Sequence, residues 1–84
     1  MPYKITFRAS AAKELRKLPA AARKQVIELI DALAQNSRPH GVKKMTGVEA
    51  WRIRAGDYRV IYSILDQQLV IEIIKIDNRR EVYR

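Results

Sequence analysis

Residues 51–62 read Trp-Arg-Ile-Arg-Ala-Gly-Asp-Tyr-Arg-Val-Ile-Tyr, and this segment constrains the fold more than any other. Apolar and basic residues alternate on both sides of Gly56-Asp57, a two-residue turn with glycine first, which predicts an antiparallel hairpin. The register follows from the turn: Ala55 faces Tyr58, Arg54 faces Arg59, Ile53 faces Val60 and Trp51 faces Tyr62. One side of the ribbon carries Trp51, Ile53, Tyr58, Val60 and Tyr62, and the other carries Arg52, Arg54 and Arg59. Arginines directly across a strand pair repel each other, so this register predicts an anion on the basic face.

The flanking segments supply the rest of a two-layer domain. Tyr3, Ile5 and Phe7 alternate with Lys4 and Thr6, as in a short strand with one buried face. From Ser10, a candidate N-cap, Ala11, Leu15 and Leu18 recur at helical spacing. Leu18-Pro19 breaks that helix and starts a longer one from about Ala20 to Asn36, with Ala22, Val26, Leu29, Ile30 and Leu33 on one face. Residues 36–41 form a loop, and Val42 to Thr46 read as an irregular basic connector. Leu69 to Ile76 is rich in branched residues and reads as the last strand. A loop at Leu65 to Gln68 would place Ile71 opposite Tyr62, Ile73 opposite Val60, and Ile74 beside Arg59 on the open face. The expected fold is α+β: an N-terminal strand and a two-helix hairpin packed on one face of a mainly antiparallel four-stranded sheet.

Composition sets the class of partner. The 84 residues fit one small domain, 1–84, and carry 17 basic against 9 acidic side chains, a formal net charge of +8. Such a field on a small body points to a polyanion or an acidic protein. No cysteine is present and histidine occurs once, which excludes thiolate chemistry and any site needing two imidazoles. No Ser-His-Asp set, phosphate-binding GxxxxGK loop or HExxH helix is found, so neither metal nor cofactor is expected. No apolar run approaches the ~20 residues of a membrane span, and the reading is a cytoplasmic protein without a membrane partner.

Of ten arginines, six (Arg52, Arg54, Arg59, Arg79, Arg80 and Arg84) fall after Trp51, where Lys75 is the one lysine. Arginine suits phosphate because its planar fork donates two parallel hydrogen bonds and keeps its charge. Tyr83, close in sequence to Arg79 and Arg80, would feel a positive field that lowers its pKa from ~10 toward that of a usable base. The helical cations Lys13, Arg16, Lys17, Arg23 and Lys24 read as solvated outer faces. Trp51, Tyr58 and Tyr62 read as core, and His40 as an exposed loop residue.

The segment 51–62, the ending Asn78-Arg79-Arg80-Glu81-Val82-Tyr83, the opening Tyr3 to Leu18 and the connector Lys43-Lys44-Met45-Thr46-Gly47 together resemble the RelE branch of the RelE/ParE toxins of type II toxin–antitoxin systems. The resemblance implies an mRNA interferase, an endoribonuclease that cuts mRNA in the ribosomal A site and is neutralised by a RelB-like antitoxin. It implies catalytic roles for Arg54, Arg59, Arg79 and Tyr83, with Arg80 a competitor for the place of Arg79. Arg52, Arg80, Lys43 and Lys44 would bind RNA, including ribosomal RNA. The best-known member has lysines where Arg52 and Arg54 stand here, and arginine cannot act as a general base. The alternative within the superfamily is a ParE-like protein that inhibits gyrase without nuclease activity.

Overall fold

The structure is a computed structural model that describes residues 2–78. Chain order is β1 (Lys4–Phe7), α1 (Ala9–Arg16), α2 (Ala20–Gln35), β2 (Lys43–Lys44), β3 (Trp51–Ala55), β4 (Tyr58–Leu65), a 3-10 turn at Asp66–Gln68, and β5 (Val70–Asn78). The sheet has five strands in the order β1-β5-β4-β3-β2, with β1 parallel to β5 and the other pairings antiparallel. The fifth strand is β2, formed by the pair of lysines in the segment expected to be irregular.

The core lies between one sheet face and the helices. Ala11 of α1 and Val26, Ile30 and Leu33 of α2 meet Ile53, Ala55, Val60, Tyr62, Ile71, Ile73 and Ile76. Fully burying a Val, Leu or Ile side chain stabilises by roughly 1.5–3 kcal/mol, so this single cluster holds the layers together. Tyr62 is the largest fully buried residue, and its hydroxyl donates to the Ser37 carbonyl at 2.9 Å, so its polar end is satisfied. At the hairpin tip Gly56 takes φ +61, and a Cβ there would come within 3.2 Å of the Gln25 side chain. Glycine is thus favoured by conformation rather than by space, since the Gln25 amide is the end of a flexible side chain and can move aside.

Three local expectations are corrected. Helix α1 starts two residues early, with Arg8 at the N-cap and no side-chain cap bond, so Ser10 lies inside the helix. The turn after β4 runs one residue further, with Leu69 at φ 55, and pairs Leu65 with Val70 and Ile64 with Ile71. Tyr62 then faces Ile73 rather than Ile71, and a bulge between Ile61 and Tyr62 shifts the register again, so that Val60 faces Ile76 and Arg59 faces Asp77. The cause is the spacing of core residues on β5. Ile71 and Ile73 are two apart and Ile76 is three further on; a regular strand would turn Ile76 to solvent, and one extra residue restores it to the core.

Strand β1 covers only the first half of β5, from Val70 to Ile73. Beyond it Glu14 of α1 occupies the edge, accepting from the Ile76 amide at 2.9 Å and from Lys75 Nζ at 3.2 Å. A helix carboxylate thus satisfies a strand donor that no neighbouring strand reaches.

Candidate nucleic-acid interface

The sheet face turned away from the core carries the cations. Alternation puts Arg52 and Arg54 on that side of β3, since Ile53 and Ala55 are buried. Pairing extends the row in both directions: Lys43 faces Arg52 from β2, and Arg59 faces Arg54 from β4. The like-charge opposition deduced from the hairpin therefore occurs twice. Among the described residues, Lys43, Arg52 and Arg54 make no ion pair.

Arg59 differs. Its Nε and Nη2 donate to the two oxygens of Asp77, both at 3.0 Å, a bidentate contact between cross-strand partners. Both side chains are 14% exposed, far less than any other ion pair in the described residues. The anion expected on this face is thus in part the protein's own. Ile74, expected beside Arg59, is the residue that the bulge leaves over. Removing one partner of a fully buried pair costs ~3–5 kcal/mol because an unpaired charge is left behind, and this part-buried pair falls below that limit. A phosphate that displaced Asp77 would leave that carboxylate unpaired beside it, so Asp77 is not readily exchanged for an incoming anion. Sequence reading missed Asp77; the signal was present in the three-residue step from Ile73 to Ile76.

The adjacent lysines part company, as neighbours on a strand must. Lys43 joins the cationic row, whereas Lys44 faces Trp51, with Nζ 6.0 Å from the ring centroid and 3.6 Å from Glu49. Arg38 lies 5.2 Å over the same ring, a cation–π contact on a tryptophan that also packs on the core. Trp51 is therefore occupied as structure. Arg38 also donates from Nη1 and Nη2 to Asp66, at 3.4 and 2.9 Å, and the Tyr3 hydroxyl donates to Asp66 at 2.6 Å. Those hydrogen bonds, from Arg38 first, hold the Asp66 carboxyl below the usual range, while the bond to Asp66 raises the Tyr3 phenol. Burial pushes the Tyr62 phenol up to about 12, against a smaller lowering by Arg38.

Beside the row, where β2 ends and no described strand continues along β3, a cavity of about 440 Å³ opens between Leu29 and Leu33 of α2 and Ile53 of β3, rimmed by His40, Lys43, Arg52 and Arg54. His40 is exposed, as expected for its loop. Among the described residues no three His, Cys, Asp or Glu side chains gather as a metal site, and no helix is long and apolar enough to cross a membrane. Arg79, Arg80 and Tyr83 lie outside the described residues.

Fold and surface together define a class: small cationic α+β proteins that present a sheet face to a polyanion. Comparison narrows it. The family model described as the ParE toxin of type II toxin–antitoxin systems matches residues 5–83. Toxin RelG of Mycobacterium tuberculosis is 34% identical, over 100% of this chain and 99% of that protein. The mRNA interferase toxin RelE of Escherichia coli K12 is 29% identical, over 99% of this chain and 92% of its own length. The archaeal RelE solved in complex with RelB from Pyrococcus horikoshii superposes with a TM-score of 0.83 at 34% identity, covering 94% of this chain and 97% of that one. The chain belongs to the RelE/ParE family of type II toxin–antitoxin toxins, and its relatives place it in the RelE branch.

Proposed function

We propose that this chain is an mRNA interferase, a toxin that cuts mRNA in the ribosomal A site and so arrests translation. The observation that supports this most is the row Lys43, Arg52 and Arg54, without ion pairs among the described residues and continuous with the paired Arg59. Such a row suits a phosphodiester backbone. The RelE name of its relatives points the same way.

RNA cleavage by its own 2′-hydroxyl needs a base at that hydroxyl, charge stabilisation on the pentacovalent phosphate, and relief of charge at the leaving 5′ oxygen. In this reading Arg54 and Arg59 clamp the phosphate, Arg52 and Lys43 hold the flanking backbone, and Lys44 lies at the margin. The resemblance supplies Tyr83 as base and Arg79 or Arg80 at the leaving group. With a tyrosine as base, alignment of the RNA for in-line attack must lower much of the barrier, and in this reading the ribosome provides that alignment. The products are a 2′,3′-cyclic phosphate and a 5′-hydroxyl.

Residues 1–84 would act as a single cytoplasmic toxin domain, held in check by an acidic RelB-like antitoxin whose charge complements the +8 surface. Induced expression followed by mapping of mRNA 5′ ends tests the reading. Cuts inside translated codons, absent with Tyr83→Phe, are expected. Growth arrest with DNA damage signalling and no cuts would instead favour the ParE-like gyrase inhibitor.

A further inference from the structure

We propose that Asp77 is a positioning residue for the reaction, holding Arg59 by its Nε–Nη2 edge so that the guanidinium meets the RNA phosphate in one fixed plane. The proposal rests on the nuclease reading. Two parallel hydrogen bonds at 3.0 Å fix rotation of the guanidinium about its long axis. An arginine held in this way needs no reorganisation when charge develops on the phosphate.

A competing role for Asp77 is that of a stand-in phosphate, displaced when RNA binds. The structure argues against it. Asp77 is the register partner of Arg59 on the adjacent strand, both side chains are largely buried, and the backbone is held there by the sheet. A displaced carboxylate would remain beside the incoming phosphate, anion against anion, with its own charge unpaired. Arg54 faces the same pair and makes no ion pair among the described residues. With Asp77 in place, Arg54 and Arg59 together keep one net positive charge for the phosphate. The bulge between Ile61 and Tyr62 that seats Ile76 in the core also brings Asp77 opposite Arg59, so one irregularity serves both packing and the site.

The test is a cycle of D77N and R59A, singly and together, with D77E as the conservative variant, in single-turnover cleavage on ribosomes programmed with a defined A-site codon. D77N is expected to slow cleavage by about 10–100-fold while the half-saturating toxin concentration changes by less than about threefold, as for loss of an interaction made in the transition state. D77E should recover part of the rate, and D77N should change the rate of R59A by less than about twofold. Faster cleavage or tighter binding by D77N would make Asp77 a competitor, and an equal loss in the R59A background would make it merely structural; either overturns the proposal. Should D77N not fold, the Arg59 Nε–H resonance of the wild-type protein decides, titrated with a short 2′-O-methyl RNA. Slow solvent exchange that persists with RNA supports the proposal, and fast exchange in either state refutes it. A wild-type protein that cuts nothing on ribosomes would sink the nuclease reading, with the Nε–H result still judging whether Asp77 holds Arg59.

Discussion

Arg59–Asp77 and Arg38–Asp66 are nearly the same contact built twice, with closest distances of 3.0 and 2.9 Å and two donor nitrogens on each carboxylate. They differ in surroundings. The first joins adjacent strands with both side chains 14% exposed, while the second ties a loop to a turn with side chains 43% and 53% exposed. Water screens the outer pair and competes for its hydrogen bonds, so its distance says little about its worth. The inner pair cannot be opened without stranding a charge. Geometry identifies the partners, and burial sets the consequence of losing one.

The largest expected effect follows from that contrast. Asp77→Ala should lower unfolding free energy by about 2–3 kcal/mol, below the ~3–5 kcal/mol of a fully buried pair, read from the denaturant midpoint at constant slope, and a loss as small as that of an exposed pair would erase the difference between the two sites. Next comes Arg59→Ala, which should slow ribosome-dependent cleavage by about 10²–10³-fold, the usual effect of deleting one preorganised donor to a developing anion. A rate close to wild type would place the phosphate elsewhere on the sheet.

Tyr62→Phe should cost about 1 kcal/mol, since it deletes a hydrogen bond to the Ser37 carbonyl without opening a cavity. The Tyr62 phenol is raised to about 12 in the folded protein, against ~10 for an unperturbed tyrosine. Its contribution is therefore complete below pH ~10 and is lost as pH rises through about 12. In the Phe variant that alkaline loss should shrink, as a pH series of melting curves would read.

The smallest effect belongs to the outer pair. Asp66→Asn should shift stability less than any of these, and the shift should fade in 1 M salt, where screening acts within ~3 Å. The lowered Asp66 carboxyl makes its contribution present above the ordinary carboxylate range and lost as pH falls through its folded value. A large, salt-resistant effect at Asp66 would break the rule that burial ranks the two pairs.

The hairpin was legible because a two-residue turn fixes its register: all the pairings deduced from Gly56-Asp57, Arg54 against Arg59 included, occur in the sheet. The pairing of β5 was not legible by simple alternation, because the turn after β4 ends in the left-handed residue Leu69 and a bulge then shifts the strand. Each change is local, but together they exchange Ile74 for Asp77 beside Arg59. Strand β2 was missed because two lysines carry no apolar alternation. The candidate arginines were readable by type and face, since charge on alternate positions survives any register. What escaped was the carboxylate that answers one of them, because long-range partners depend on irregularities whose reason lies in the core.

Glu14 gives the molecule an asymmetry between its two sheet margins. On one side a helix side chain has already taken the Ile76 amide that a foreign strand would need. On the other, the two-residue β2 leaves Ile53 to Ala55 unpaired on that side among the described residues, beside an apolar hollow. Among the described residues, the Ile53 to Ala55 edge of β3 is therefore more open to an added extended peptide than the Ile76 stretch of β5, and it lies where the basic row begins.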